Sequence, residues 1–118
     1  MKRILVVDDE EGIRILYKEE LGEEGYEIEL ATEGGEALEK LKRWKPDLVT
    51  LDLKMPGMGG LEVLEQIRKE DKDLPVVICT AYGDRRRDLA TWASDAYVVK
   101  SSDVSELKRV IRKLLENK

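Results

Sequence analysis

The sequence predicts an α/β fold, a five-stranded parallel sheet wound on both faces by helices. Two observations carry this. Short apolar runs alternate with helical stripes from one end of the 118-residue chain to the other, and such alternation implies parallel strands joined by helical crossovers. Polar residues also stand just past the apolar runs, where an open parallel sheet places its ligands. Asp8, Asp52, Thr80 and Lys100 occupy those positions.

The elements follow in order. Ile4-Leu5-Val6-Val7 is a continuous β-branched run, the mark of a strand buried on both faces. Ile13, Leu16, Tyr17 and Leu21 recur at helical spacing between Glu11 and Glu24, and Gly25 stops that helix. Tyr26, Ile28 and Leu30 alternate with Glu27 and Glu29, a strand with one wet face. Ala37, Leu38, Leu41 and Trp44 form the next helical stripe, ended by Pro46. Leu48–Leu51 is the third strand, and Leu61, Leu64 and Ile67 mark the third helix. Pro75 leads into the strand Val76–Cys79. A short, weakly amphipathic fourth helix is expected over Asp84–Ala93, then a strand over Ala96–Val99. Val104, Leu107, Val110, Ile111 and Leu114 give a regular closing helix, with Ser102 or Asp103 available as its cap. Five βα units at this length fit a flavodoxin-like sheet, strand order 2-1-3-4-5, rather than an eight-unit barrel.

Composition narrows the function. The chain is 42% hydrophobic, enough for one core, and 40% charged, so its surface is dense in ions of both signs. A net charge of −5 argues against direct binding to nucleic acid. The sole cysteine, Cys79, lies in an apolar run, cannot form an internal disulfide and reads as a small buried hydrophobe. No run approaches the ~20 apolar residues of a membrane span, and no signal peptide opens the chain. A cytoplasmic protein is expected. Histidine is absent, which removes Ser-His catalysis, histidine-ligated metals and a phosphohistidine carrier.

Asp8, Asp9 and Glu10 follow the first strand and Asp52 follows the third. Carboxylates gathered at one sheet edge repel, and a hard divalent cation such as Mg²⁺ relieves that repulsion. Lys100 can pair with Asp52 in the empty site and with a phosphoryl oxygen in the occupied one. Thr80 offers a hydroxyl donor. Phosphoryl transfer needs little beyond positioning and charge neutralisation, and a carboxylate can be its nucleophile. Each residue alone has a blander reading. Asp8 or Asp9 can cap a helix, Asp52 can form a turn, Thr80 can simply end a strand, and Lys100 can be a solvated charge whose removal leaves the fold intact. Tyr97 reads as core, and Arg85-Arg86-Arg87 as a solvated helix face. The coincidence of four junctions, each with the residue type one reaction needs, favours the chemical reading.

Ile4-Leu5-Val6-Val7-Asp8-Asp9-Glu10, Pro46-Asp47-Leu48-Val49-Thr50-Leu51-Asp52, Met55-Pro56-Gly57-Met58, Thr80-Ala81-Tyr82 and Ala96-Tyr97-Val98-Val99-Lys100 together resemble the receiver domain of two-component response regulators. The resemblance spans essentially the whole chain as one domain, 1–118. It implies Asp52 as phosphoacceptor, Asp9 and Asp52 as direct Mg²⁺ (or Mn²⁺) ligands, Asp8 acting through water, and the backbone carbonyl of Lys54 as a further ligand. It implies Thr80 and Lys100 as phosphoryl-binding groups and Tyr97 as the aromatic switch. Lys54 and Tyr82 fall where side chains overhang the phosphoryl group and set its lifetime. A sensor histidine kinase or a phosphotransfer protein is the implied donor. A protein target or relay partner is the implied reader, since no effector domain follows Lys118, and a monomer is expected. Such a chain catalyses its own phosphorylation and dephosphorylation but is not a metabolic enzyme.

Three departures from the family pattern stand out. Ser101 replaces the proline that usually follows the lysine, so a trans bond or an unusually strained one is expected there. Gly59 replaces a frequent Asp, so a helix cap is lost. The stretch from Thr80 to Lys100 is shorter than usual, so the fourth helix should be trimmed or irregular. A haloacid-dehalogenase-type phosphatase is an alternative, but it places an Asp-x-Asp pattern on the first strand, whereas Asp8 and Asp9 are adjacent here. An interaction module without phosphorylation would need a broken acidic site. A flavin-binding flavodoxin would need a phosphate loop where Asp8-Asp9-Glu10 stands.

Overall fold

A computed structural model describes residues 1–81 and 94–116. Its elements are β1 (Arg3–Val7), α1 (Glu11–Glu23), β2 (Glu27–Ala31), α2 (Gly34–Trp44), β3 (Leu48–Leu51), α3 (Gly60–Glu70), β4 (Val76–Thr80), β5 (Ala96–Val99) and α4 (Ser105–Glu116). The five strands form one sheet in the order β2-β1-β3-β4-β5, parallel throughout. The expected helix over 84–93, with Arg85, Arg86 and Arg87, lies outside the described residues, as does Tyr82.

The strand pattern sorts the core into two layers. Leu5, Val7, Val49, Leu51, Val76 and Ile78 point to one face, where Ala37 of α2 and Val63, Leu64 and Ile67 of α3 cover them. Ile4, Val6, Leu48, Val77, Cys79 and Val98 point to the other, against Tyr17 and Leu21 of α1 and Leu107, Ile111 and Leu115 of α4. Period-two alternation of side chains, applied to strands apolar on both faces, produces this double packing. Cys79 is a free, buried thiol. Burial above all pushes it up to about 12, so it stays protonated beside the Tyr17 hydroxyl.

Helix boundaries follow local chemistry. At the start of α2 the Glu33 carboxylate accepts the Glu36 N–H at 2.5 Å, satisfying an orphan helix donor, while Glu36 Oε1 accepts the N–H of Thr32, the residue before the cap, at 2.5 Å. Its other end is closed by Lys45 in the left-handed region, φ 52°, just ahead of Pro46. Gly25, after α1, has φ 95°, which a glycine adopts freely. Before α4, the Asp103 carboxylate accepts the Ser105 N–H at 2.9 Å; of the two expected caps, this residue makes the bond. Gly59 caps α3 with no side-chain bond.

The outer edge of the sheet is closed by a side chain. Ala31 turns its carbonyl inward to the Asp8 N–H, so the neighbouring Leu30 carbonyl points outward. There it accepts from Lys40 Nζ at 2.5 Å. That ammonium also lies 3.4 Å from Glu29 and 3.8 Å from Glu36.

Candidate functional site

Because the strands are parallel, their carboxyl ends share one rim of the sheet. β1 and β3 are in register from Ile4 with Leu48 to Val7 with Leu51, so Asp8 and Asp52 leave the sheet side by side. β4 and β5 pair Thr80 with Val99, which sets Lys100 at the same rim. Tyr97 is half-buried and packs on the α2–α3 side of the core.

Asp8 and Asp52 are only 1% and 3% exposed, and Thr80 is fully buried. Asp9 and Glu10 are exposed. One carboxylate oxygen from each of Asp8, Asp9, Glu10 and Asp52 lies within 4.8 Å of the others. Lys100 Nζ stands 2.9 Å from Asp8, 2.8 Å from Glu10 and 3.1 Å from Asp52. An ammonium has three N–H donors, and three carboxylates surround it here. Lys100 is therefore no solvated charge: its side chain is 10% exposed, held down by the acids that need it. Neither Asp8 nor Asp9 caps α1. The N-cap is Glu10, which makes no side-chain cap bond, and the Asp8 carboxylate accepts the Glu10 N–H at 2.9 Å instead.

The electrostatics follow from burial. Asp52 is raised to about 6, first by burial and then by the charge on Asp8, with Lys100 pulling the other way. Asp8 is also raised, chiefly by burial, against the hydrogen bond from Lys100. Burial alone would lower Lys100, yet its bonds to Glu10 and Asp8 outweigh that and raise it, so it stays charged. Two buried acids held partly against ionisation by each other, with one lysine between them, form a site short of positive charge. The donors fit a hard divalent cation: four carboxylates, two of them buried, with no nitrogen or sulfur among them.

A cavity of about 190 Å³ opens at this rim, lined by Asp9, Glu10, Asp52, Lys54, Thr80, Ala81 and Lys100. A larger one, about 280 Å³, lies at the opposite end of the strands, between the last turns of α2 and α3. Its lining brings no comparable cluster of acids around a cation, so convergence of charge, and not size, marks the site. Lys54 is exposed, and its N–H reaches Asp52 Oδ1 at 3.2 Å.

Two contributors, Arg14 and Gly60, escaped the sequence reading, and a third, Glu10, was placed among the carboxylates of the rim without a role of its own. Glu10 shares Lys100 with the two buried acids, and its place in the Asp8-Asp9-Glu10 run was the available signal. Arg14 Nη1 donates to the Asp8 carbonyl at 2.8 Å. Gly60 packs on the backbone of Asp52, where a Cβ would stand 2.2 Å from the Asp52 carbonyl oxygen. No cis peptide bond is present among the described residues, so Lys100–Ser101 is trans.

The family model described as the response regulator receiver domain matches residues 4–112. The chain belongs to the response regulator receiver family. This receiver domain is 38% identical to sporulation initiation phosphotransferase F of Bacillus subtilis, over 97% of its own length and 94% of that protein's. It is 57% identical, with a TM-score of 0.91, to the crystal structure of the response regulator TrrA from Thermotoga maritima in complex with Mg²⁺-BeF, covering 97% of this chain and 99% of that one. A chain in the crystal structure of the histidine kinase ThkA in complex with TrrA is 56% identical with a TM-score of 0.89, covering 98% of this receiver and 99% of that chain. The fold is thus the one these proteins share. No helix among the described residues is long and apolar enough to cross a membrane.

Proposed function

We propose that this receiver is a phosphorylation switch in which Asp52 accepts a phosphoryl group from a histidine kinase or a histidine phosphotransfer protein. The observation that carries the reading is the environment of Asp52: a buried carboxylate 3.1 Å from Lys100, within 4.8 Å of three further carboxylates and open to a cavity. A carboxylate oxygen of Asp52 attacks phosphorus as the bond to the donor nitrogen breaks, and the imidazole leaves. Asp52 must be ionised to attack, and Lys100 favours that form. Asp9 and Asp52, with Asp8 through water and the carbonyl of Lys54, are the groups that would hold Mg²⁺, which supplies positive charge to the transferring oxygens. Thr80 and Lys100 line the same cavity and would bind the phosphoryl oxygens. Tyr97, half-buried beside the α2–α3 core, would respond as Thr80 and Lys100 are drawn in.

The relatives support this reading through the partner and ions that their names carry, a histidine kinase and Mg²⁺-BeF. A downstream protein reads the switch, the receiver acts as a monomer, and it works in the cytoplasm, where a free buried thiol such as Cys79 is at home. The haloacid-dehalogenase alternative is not favoured, since the chain belongs to a different family. The test is intact mass after incubation with acetyl phosphate and Mg²⁺. One phosphoryl group should be added to the parent and none to Asp52→Asn; equal labelling of the variant would remove Asp52 from its role.

A further inference from the structure

Asp8 is fixed at four points. Its N–H donates to the Ala31 carbonyl at 3.0 Å. Its carboxylate accepts from the Glu10 N–H at 2.9 Å and pairs with Lys100 at 2.9 Å. Its carbonyl accepts from Arg14 Nη1 at 2.8 Å. The first three belong to the sheet and to the acidic cluster itself. The fourth comes from a side chain six residues on, in α1, which serves no part of the proposed chemistry.

The geometry points to Arg14 as a positioning residue of the acidic site, one that holds the Asp8–Asp9 peptide so that both carboxylates face Asp52. The peptide unit is planar, so an anchor on the Asp8 carbonyl also sets the direction in which Asp9 leaves. Asp9 needs such an anchor: it is exposed, yet its carboxylate lies within 4.8 Å of those of Asp8, Glu10 and Asp52. The guanidinium reaches back because helix side chains lean toward the N-terminus. Arg14 N–H meanwhile donates to the Glu10 carbonyl at 3.1 Å, one of the bonds that start α1. One residue thus ties the first turn of the helix to the loop that carries the acids. A cation this close to a helix N-terminus gains nothing from the helix dipole, so helix stability does not account for an arginine here. The carbonyl bond does.

The inference rests on the proposed metal-assisted reading, and its test separates the two. Mg²⁺ is titrated into the parent, Arg14→Ala, Arg14→Lys and, as a remote control, Arg112→Ala, which removes only the exposed pair with Glu24. The readouts are the Mg²⁺ dissociation constant from amide shifts and, without metal, the amide shifts of Asp8, Asp9 and Glu10. Mutating groups that orient metal ligands weakens binding by roughly tenfold or more. Arg14→Ala should do so and should move the Asp9 amide before any metal is added. Arg14→Lys, which keeps a donor, should recover part of the affinity, and Arg112→Ala should bind as the parent does. If the parent binds Mg²⁺ at the acids and Arg14→Ala matches it, the positioning role is overturned while the metal site stands. If the parent shows no shifts at Asp8, Asp9 and Asp52, the site reading falls and takes this role with it. Should Arg14→Ala fail to fold, the comparison rests on Arg14→Lys: a lengthened or lost carbonyl bond must still weaken Mg²⁺ measurably, and parent-like affinity with a parent-like Asp9 amide overturns the role.

Discussion

The carbonyl oxygen of Asp52 sits so close to Gly60 that a Cβ on the glycine would stand 2.2 Å from it, and 2.7 Å from the Leu53 Cα. Both obstacles are backbone, so neither can swing aside. Gly60 is also tied to this loop by its N–H, which donates to the Leu53 carbonyl at 3.0 Å. The start of α3 is thereby pressed directly beneath the residue proposed to carry the phosphoryl group. Gly60→Ala should cost about 3 kcal/mol, the upper end of ordinary overpacking, and displace Asp52. Gly22→Ala, at a helical position with nothing within 4 Å of the new Cβ, should instead stabilise by about 0.5–1 kcal/mol. Urea denaturation of both variants checks the contrast, and equal stabilities would contradict the close approach.

Asp52→Asn should stabilise the metal-free protein at neutral pH. The folded carboxyl titrates at about 6 against an ordinary 3.8. A carboxyl raised in this way contributes stability that is fully present below its unfolded value and lost as the pH rises through about 6. The shift, in which the pull of Lys100 is already counted, corresponds to roughly 3 kcal/mol at pH 7.5, and part of it is offset by burying the asparagine amide. A gain of about 2 kcal/mol is expected, shrinking toward zero below pH ~4, where both forms are neutral. Thermal melts in a chelator at pH 7.5 and pH 4 measure it. Added Mg²⁺ should then raise the parent's melting temperature more than the variant's.

Lys100→Ala should behave oppositely. Three carboxylates within 3.1 Å of its ammonium lose their shared cation. Removing one partner from a buried pair costs about 3–5 kcal/mol, softened here because Asp52 can take up a proton. A loss of about 2 kcal/mol at pH 7.5 is expected, and it should be smaller at pH 5 because the protonated acids no longer repel. With acetyl phosphate and Mg²⁺ the variant should still gain mass at Asp52 yet lack the amide shifts in β5 that the phosphorylated parent shows. Normal shifts would exclude Lys100 from the switch.

The phosphorylated form should be long-lived. Lys54 is exposed beside the cavity and its N–H holds Asp52, so its side chain can hang over the phosphoryl group and crowd an in-line water. Tyr82, outside the described residues, is proposed to do the same from the Thr80 side. The phosphoprotein of Lys54→Asn/Tyr82→Glu should decay several-fold faster than the parent with excess Mg²⁺. Identical decay would mean that neither residue shields the bond.

The sheet was legible because four strands are nearly unbroken apolar runs and the fifth, β2, alternates apolar with acidic residues, and Asp8, Asp52, Thr80 and Lys100 were legible because each ends an apolar run. What the sequence hid is contact across segments. Nothing in the local pattern around Arg14 says that its guanidinium turns back to the Asp8 carbonyl. Nothing around Gly60 tells a glycine required by backbone approach from one that merely opens a helix. Pro46 announced the end of α2, but the left-handed residue before it is Lys45, where a glycine would be the ordinary choice. The burial of Lys100 was hidden for the same reason: its environment is made by Asp8, Glu10 and Asp52, which meet it only once the strands align.

The α2 lysine that covers the edge strand β2 has a consequence for how the protein behaves in a crowd. An unprotected edge strand offers a ladder of free carbonyls and amides on which another chain can grow. Here one rung is already taken, since Lys40 occupies the Leu30 carbonyl, and Glu29 and Glu36 hold the ammonium close to that rung. A second chain laying a strand alongside would have to displace that ammonium from the Leu30 carbonyl and from Glu29 and Glu36. The β2 flank of the sheet is thus guarded against templated aggregation, one residue from Ala31, whose carbonyl holds the Asp8 N–H at the rim of the site.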